Sequence, residues 1–299
     1  MTRALLTTLF AAAVGAQAAH AQPADARAAM LVSTTELAAA LDGSNLVLLH
    51  VGDKAEYDAA HIPGARYVSL RDLSVAEGKL VLQMPGADDL KSRLEALGIS
   101  DDSRVVVYFG KDWISPATRV VFTIAHAGLD RVALLDGGMP AWAKAGHPVT
   151  DALPAPRAGT LTRLAPRADI ADAAFVQKNL GRPGFALIDA RDAEFYNGTR
   201  EGGPRDLRMA GHIAGAISVP FSSVATAGLT LKPRAELEAI FSNAGVKPGD
   251  TVVTYCHIGQ QATAVLFAAR SLGYKVLLYD GSFEDWVRRG LAVRNPAKQ

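Results

Sequence analysis

The chain has 299 residues, of which 49% are hydrophobic and 20% charged, and its 31 Lys and Arg residues nearly balance 30 Asp and Glu residues. This near-neutral charge gives no electrostatic basis for binding nucleic acid or an anionic membrane surface. The length is sufficient for two domains of ordinary size, each with its own apolar core.

The first 21 residues have the features of an export signal. Arg3 supplies positive charge, Leu5–Val14 is an apolar stretch too short to span a bilayer, and Ala19-His20-Ala21 is a small-residue cleavage site. We expect cleavage after Ala21 and export to the periplasm or beyond, with an uncleaved signal anchor as the alternative. No later stretch reaches the roughly 18 apolar residues of a membrane span, so a soluble mature chain, by default a monomer, is expected.

The first half of the mature chain alternates helical and β-branched patterns. Ser33-Thr34-Thr35-Glu36 is typical of a capping box that opens a helix. "NLVLLHV" (45–51) predicts a buried strand, "DDLKSRLEALG" (88–98) a helix closed by Gly98, and "RVVVYF" (104–109) a second strand. The pattern is that of an α/β domain.

The second half shows the same alternation after a proline-containing segment, "DALPAPRAGTLTRLAP" (151–166), which predicts an extended linker. Strands are predicted at 185–190, 251–255 and 275–279, and helices at 233–245 and 262–273. Apolar strands that alternate with helices predict a mainly parallel sheet with helices on both faces.

Three segments occur twice in the same order. "HIPGARYVSL" at His61 returns as "HIAGAISVPF" at His212, "RVVVYF" at Arg104 returns as "TVVTYC" at Thr251, and "LLDGGMPAW" at Leu134 returns as "LYDGSFEDW" at Leu278. Such self-similarity indicates a duplicated domain. We therefore predict two copies of one fold, at 27–150 and 167–295, joined by the linker 151–166.

The only cysteine, Cys256, directly follows the predicted strand 251–255, so it should lie at the carboxyl edge of a parallel sheet, where ligands bind in such folds. The loop that follows could turn its N–H groups inward and stabilise a thiolate at this position. A lone cysteine cannot form an internal disulfide, so it is either a buried filler or a reactive group. We favour the reactive group. The loop residues are His257, Ile258, Gly259, Gln260 and Gln261.

Together, the repeat, "GHIAGA", the strand–cysteine–loop–helix segment and "YDGSFEDW" resemble the tandem rhodanese family of sulfurtransferases over nearly the whole mature chain. The resemblance implies two rhodanese-like domains with the nucleophile, Cys256, in the second. The first copy is implied to be silent, and Phe109 stands where its cysteine would be.

The resemblance also implies the substrate-binding residues. The matching arginine, Arg191, would hold the anionic donor; a surface arginine that caps a helix or pairs with Asp192 is the alternative. Aligning "VGDKAEY" with "DARDAEF" sets Asp53 of the first copy against Arg191. Arg200, in an insertion at 198–212, is a candidate for a second carboxylate contact. Trp113 and Ile114, from the first domain, match positions that form apolar or aromatic walls of an interdomain cleft.

The implied reaction transfers sulfur through a Cys256 persulfide, with no metal or organic cofactor, from a small sulfur-containing anion to cyanide or a thiol. The loop matches neither a thiosulfate pattern, since Ile258 replaces a lysine, nor a mercaptopyruvate pattern, since His257 and Ile258 replace Gly and Ser. We prefer thiosulfate, because loop N–H groups and an arginine suit a small dianion. Mercaptopyruvate and a non-catalytic persulfide carrier stay open.

The sequence lacks the residues that other candidate chemistries require. A cysteine-dependent phosphatase needs an arginine six positions after the cysteine, where this chain has Ala262. One cysteine and scattered histidines give no zinc-ligand spacing, and "YDGSFEDW" lacks the nucleophile elbow of serine hydrolases. His257 could be a general base, but a neighbour on a tight loop usually points elsewhere, so we expect it to tune access or contact the donor.

Overall fold

The structure, a computed structural model, describes residues 26–111, 113–204 and 207–298. The predicted export signal and its cleavage site lie outside these residues. Within them, no helix is both long and apolar enough to cross a membrane.

Strands and helices largely alternate along the described chain. The strands are β1 (Leu31–Val32), β2 (Leu46–Val51), β3 (Arg66–Val68), β4 (Val75–Glu77), β5 (Leu80–Gln83), β6 (Arg104–Phe109), β7 (Val132–Leu135), β8 (Ile170–Ala171), β9 (Phe185–Asp189), β10 (His212–Ile213), β11 (Ile217–Ser218), β12 (Thr251–Tyr255), β13 (Lys275–Tyr279) and β14 (Val293–Arg294). The helices are α1 (Ala26–Met30), α2 (Thr34–Ala40), α3 (Lys54–Ala59), α4 (Ala87–Ala96), α5 (Ile114–His126), α6 (Gly138–Lys144), α7 (Ala173–Asn179), α8 (Ala193–Tyr196), α9 (Arg234–Asn243), α10 (Ala262–Ser271) and α11 (Ser282–Arg288), with 3₁₀ turns at Leu70–Leu73, Phe221–Val224 and Pro296–Lys298.

Each half of the described chain contains one parallel sheet, and the two sheets have the same topology. The first has the strand order β1-β7-β6-β2-β3 and the second β8-β13-β12-β9-β11. Every neighbouring pair within these sheets is parallel. The α/β fold class and the duplication predicted from the sequence are therefore confirmed.

The predicted elements appear close to their expected bounds. The Ser33 side chain accepts from the N–H of Glu36, whose carboxylate accepts in turn from the Ser33 N–H, which completes the capping box at α2. Pro233 precedes α9 as its cap rather than lying within its first turn. The sequence patterns did not reveal the short edge strands or the antiparallel hairpin β4–β5.

The two domains pack through the helices that follow their central strands. Helices α5 and α10 lie between the sheets, and apolar side chains of both, including Val120, Phe122, Val265 and Leu266, belong to one continuous core. At their crossing the buried hydroxyls of Thr118 and Thr263 are 2.9 Å apart. Because α5 and α10 begin close to this contact, the loop before each helix faces the other domain.

Residues 151–166 form neither helix nor strand and run along the first domain. The Gly159 N–H donates to the Glu95 carbonyl at 2.7 Å, and the Leu161 N–H donates to the Glu95 carboxylate at 2.8 Å. A Cβ atom at Gly159 would overlap the Ile99 backbone. The linker is therefore packed against the first domain along its length rather than looped out.

Candidate active site

Cys256 directly follows the end of β12, and only 1% of its surface is exposed. It lines a cavity of about 520 Å³ between the two domains. The first domain contributes Trp113, Ser115 and Pro116, and the second contributes Phe221, Cys256, His257, Ile258, Gln260 and Gln261.

In the loop that follows Cys256 the first carbonyls are hydrogen-bonded, whereas the N–H groups are not hydrogen-bonded to any described residue. The carbonyls of Cys256 and His257 accept from the N–H groups of Phe283 and Glu284 at 3.0 and 3.1 Å, at the start of α11. Within the described chain, the backbone N–H groups of residues 257–261 donate to no protein acceptor. Unpaired donors ahead of the N-terminus of α10 are what the predicted anion site needs.

Gly259 is required by this loop for two reasons. Its φ is +84°, a backbone conformation that other residues rarely adopt. A Cβ atom at this position would also lie 2.7 Å from the Asp280 carbonyl. Any side chain at residue 259 would therefore distort the loop that presents the N–H groups.

The tyrosine before Cys256 has a structural counterpart in the first domain, which fixes the alignment of the two copies. The hydroxyl of Tyr255 accepts from the Ile213 N–H at 3.1 Å, and that of Tyr108 accepts from the Ile62 N–H at 3.1 Å. The residue after each tyrosine is Cys256 in one domain and Phe109 in the other. Phe109 therefore occupies the position in the first domain that corresponds to Cys256, in agreement with the alignment of the two repeated segments.

The same register corrects the expected pairing of Asp53 with Arg191. His50 lies opposite Tyr108 and Asp189 lies opposite Tyr255, so the counterpart of Arg191 is Gly52. Asp53 instead matches Asp192, and both precede a short helix; the Asp53 carboxylate accepts from the N–H of Ala55 at 2.7 Å. The sequence alignment was shifted by one residue, because it matched "AE" at 55–56 with "AE" at 193–194, whereas the strand register aligns 53–57 with 192–196.

Arg191 does not face the cavity in this structure, contrary to its predicted direct contact with the donor. Its side chain is fully buried, and its Nε and Nη2 bind the Asp189 carboxylate at 3.0 and 2.6 Å. Nη2 also donates to the Gly211 carbonyl at 2.6 Å, and the guanidinium lies 4.0 Å over the Phe283 ring. Asp189 and Arg191 lie two positions apart at a strand end, so their side chains point to the same face and pair there.

Arg191 nevertheless lies close enough to Cys256 for the two side chains to interact electrostatically. Burial acts to lower the pKa of Arg191, but its hydrogen bonds to Asp189 and the charges of Asp189, Tyr255 and Cys256 raise it overall. The arginine therefore stays protonated behind the loop. Its Nη1 is buried and has no hydrogen-bond partner among the described atoms.

His257 is a neutral group in this environment. Burial, followed by the charge of Arg191, lowers the pKa of His257 to about 4. Its ring meets the Phe195 ring edge-on with centroids 4.6 Å apart, and its Nδ1 is buried without a partner within the described structure. An imidazole with so low a pKa is a poor proton acceptor near neutrality, so the structure gives no support to a general base here.

Arg200 does not line the cavity in this structure, unlike its predicted carboxylate contact. Its guanidinium lies 4.8 Å over the Phe195 ring and pairs with Glu194 at 3.5 Å, and its side chain is 62% exposed. Phe195 thus separates Arg200 from His257. The sequence analysis missed Phe195, although an aromatic residue next to the arginine-bearing insertion was a usable signal.

Trp113 takes the place that the sequence predicted for it. It caps α5, is 50% exposed, and meets the Phe221 ring edge-on at 5.4 Å across the cavity. Its neighbour Ile114 is buried in the core. The aromatic wall of the cavity therefore combines one residue from each domain.

Arg119, on α5 of the first domain, was missed by the sequence analysis. Its side chain is 3% exposed, and its Nη1 binds the Gly259 carbonyl at 3.1 Å and the Asp280 carboxylate at 2.6 Å. Its Nη2 donates to the Leu82 carbonyl. One guanidinium thus joins the catalytic loop, the start of α11 and the hairpin β4–β5. An arginine inside an otherwise apolar helix was the available signal.

We expect Arg119→Lys to lower kcat for sulfur transfer by about 10–100-fold. Lysine keeps the charge near Asp280 but cannot reach three acceptors with the fixed fork of arginine, so the loop at Gly259 loses a support. Steady-state kinetics and urea unfolding test this expectation. Arg234→Lys is the matched control, because Arg234 forms an exposed pair with Glu238 far from the cavity. A kcat for Arg119→Lys equal to that of the control contradicts the positioning role.

Because His50 is buried, we expect the folded protein to lose stability in acid. It is 1% exposed, and its ring nitrogens have no partner within the described structure. Burial lowers its pKa from 6.5 to about 4. Between these values the unfolded chain binds a proton that the folded chain does not, so stability falls as pH drops from about 6.5 to about 4.

In His50→Leu the loss of unfolding free energy between pH 7 and pH 5 should shrink by about 2 kcal/mol, which follows from the shift from 6.5 to about 4. Urea unfolding at the two pH values measures it, with sulfur transfer expected to be unchanged. His147→Gln, at a partly exposed histidine, is the control. An undiminished acid loss in His50→Leu would show that His50 is protonated when folded.

A cysteine at the end of a parallel strand, beside a loop with unpaired N–H groups, is a geometry typical of proteins that transfer groups through a covalent cysteine intermediate. The family model described as "Rhodanese-like domain" matches residues 33–145 and 172–289. The chain therefore belongs to the rhodanese family, with two rhodanese-like domains.

Named relatives agree with this assignment. The chain is 32% identical to the "Thiosulfate sulfurtransferase" of Rattus norvegicus, over 79% of this chain and 80% of that protein. It is 34% identical to the "Probable 3-mercaptopyruvate sulfurtransferase" of Pseudomonas aeruginosa, over 87% of this chain and 95% of that protein. These likenesses support sulfurtransferase activity. The crystal structure of YnjE has the same fold, with a TM-score of 0.79 and 24% identity over 90% of this chain and 70% of that chain.

Proposed function

We propose that the protein transfers sulfane sulfur from thiosulfate to an acceptor such as cyanide or a small thiol through a persulfide on Cys256. The observation that carries this proposal is the set of unpaired N–H groups at residues 257–261, beside the cavity that Cys256 lines. These donors suit an anion whose reacting sulfur and charge lie close together.

In the first step the Cys256 thiolate attacks the outer sulfur of thiosulfate. A new S–S bond forms to Cys256, the S–S bond of thiosulfate breaks, and sulfite leaves with the bonding electron pair. The negative charge of the persulfide's outer sulfur then lies in the cavity, where the loop N–H groups stabilise it. Because these groups are held by the loop fold before the donor arrives, little reorganisation is needed.

In the second step the acceptor attacks the outer sulfur of the persulfide. With cyanide, a carbon–sulfur bond forms, the Cys256 S–S bond breaks, and thiocyanate leaves while its electron pair restores the Cys256 thiolate. The covalent intermediate predicts ping-pong kinetics. His257, neutral above about pH 5 given its pKa of about 4, needs to accept no proton in either step.

Thiosulfate is preferred because the described cavity lining contains neither arginine nor lysine. The oxygens of thiosulfate lie one bond from the reacting sulfur pair, so N–H groups and the side-chain amides of Gln260 and Gln261 can reach them. The carboxylate of mercaptopyruvate lies further from its sulfur and calls for a separate cation. Arg200 could reach the cavity if the Phe195 ring moved aside, and it would then supply that cation. Mercaptopyruvate is therefore the second candidate donor.

Steady-state cyanide assays with both donors test the proposal. We expect kcat/KM for thiosulfate to exceed that for mercaptopyruvate, and Arg200→Gln to change neither by more than about twofold, since Arg200 is screened and exposed. Turnover with mercaptopyruvate alone, lost in Arg200→Gln, would reverse the donor assignment. Persulfide formation without turnover to cyanide would favour the carrier function.

A further inference from the structure

A second cavity adjoins the cysteine cavity on the side of the first domain. We name it the hairpin pocket; its volume is about 780 Å³, and its walls are largely apolar side chains of the 3₁₀ turn at Leu70–Leu73 and of the hairpin β4–β5. Ile258 lines both cavities. The hairpin pocket therefore begins at a residue of the loop that carries the nucleophile.

The hairpin pocket is held in a fixed position relative to Cys256. The Leu82 carbonyl accepts from Arg119, whose guanidinium also binds the Gly259 carbonyl of the catalytic loop. The Met84 N–H donates to the Asp280 carboxylate at 2.7 Å. Leu82 has a φ of +58°, a strained conformation for leucine that these ties maintain. The pocket is thus built before any ligand binds.

The hairpin pocket combines apolar walls with an unpaired cation. Val81 is 46% exposed and lines it, with Val75 and Leu82 beside it. Arg71, an exposed residue, also lines it, and no ion pair found in the described part of the chain involves its guanidinium. Thiosulfate and cyanide are too small to fill this space in addition to the cysteine cavity. Its chemistry suits an apolar chain with an anionic end.

We propose that the hairpin pocket binds the body of the sulfur acceptor, a small thiol with an apolar chain that ends in a carboxylate. This inference rests on the proposed sulfur transfer. The chain would lie along Val81, the carboxylate would pair with Arg71, and the thiolate would pass Ile258 to reach the persulfide. The thiolate forms a bond to the outer sulfur, the Cys256 S–S bond breaks, and its electron pair returns to Cys256 while the acceptor leaves as a persulfide anion.

Single-turnover discharge of the purified Cys256 persulfide tests the proposal. The acceptors are cyanide, mercaptoacetate and 8-mercaptooctanoate, with 8-mercaptooctanol as the uncharged analogue. In the wild type we expect the second-order rate constant for 8-mercaptooctanoate to exceed that for mercaptoacetate at least tenfold, because additional methylene groups become buried. Arg71→Gln should lower the rate for 8-mercaptooctanoate about fivefold and leave that for 8-mercaptooctanol unchanged.

Val81→Asp places a charge on the apolar wall and should abolish the advantage of the long chain while leaving cyanide discharge intact. Val149→Asp is the matched control, since Val149 is 47% exposed and lines neither cavity. Equal rates for both thiols in the wild type, or equal effects of the two aspartates, overturn the pocket assignment. If neither thiosulfate nor mercaptopyruvate converts Cys256 to the persulfide, or if the persulfide does not react with cyanide, it is the proposed function that fails.

Discussion

Replacing Cys256 by serine should lower sulfur transfer to cyanide by at least about 10³-fold, because a hydroxyl near neutral pH is not ionised and cannot carry a sulfane sulfur. The substitution changes one atom and keeps the size of the side chain. Every step of the proposed mechanism passes through the Cys256 sulfur, so this is the largest effect that we expect.

Intact mass after exposure to thiosulfate measures the same property directly. The wild type should gain one sulfur atom, and Cys256→Ser should gain none. Since the chain has no other cysteine, the difference locates the sulfur on Cys256 without further mapping. Cys256→Ala is a second variant that removes any residual hydroxyl chemistry. A cyanide rate in either variant within tenfold of the wild type would show that Cys256 is not the nucleophile.

Replacing Arg191 by methionine should lower the free energy of unfolding by about 3–5 kcal/mol, because it leaves the fully buried Asp189 carboxylate without its cation. Urea unfolding measures this loss. The exposed pair of Arg234 and Glu238 provides the control, and Arg234→Met should lose less than about 1 kcal/mol.

The double variant Asp189→Asn with Arg191→Met separates stability from chemistry. It should recover much of the unfolding free energy, since no charge is then buried alone. It should still need more thiosulfate than the wild type to form the persulfide, because the Arg191 guanidinium, whose Nη1 is a donor without a partner among the described atoms, is missing. A single Arg191→Met variant as stable as Arg234→Met would mean that the buried ion pair is not formed. If the double variant forms the persulfide at the same thiosulfate concentrations as the wild type, the role of Arg191 is restricted to structure.

The sequence by itself determined the features that depend on local patterns. The periodicity of apolar residues was sufficient for the main strands and helices, and the repeated segments were sufficient for two copies of one fold. The position of Cys256 after a buried strand also implied its place at the carboxyl edge of a sheet. Each of these inferences uses residues that are neighbours along the chain, where spacing translates directly into geometry.

The short edge strands and the hairpin β4–β5 could not be predicted in this way. Strands of two to four residues, such as Leu31–Val32 and Leu80–Gln83, carry too few alternating positions to give a pattern. The one-residue shift between Asp53 and Gly52 has a different origin. The sequence alignment matched "AE" of one copy with "AE" of the other, whereas the pairing of the strands aligns Asp53 with Asp192.

Only the tertiary structure decided how the two domains build the site. Arg119 and Gly259 are 140 residues apart, and they meet because α5 packs against α10. The same packing brings Trp113 opposite Phe221 and places the hairpin pocket beside Ile258. Arg191 was assigned to the donor from its motif, yet burial against Asp189 and Phe283 turned it away from the cavity. Contacts of this kind depend on how two separately specified domains dock, and no local spacing encodes that docking.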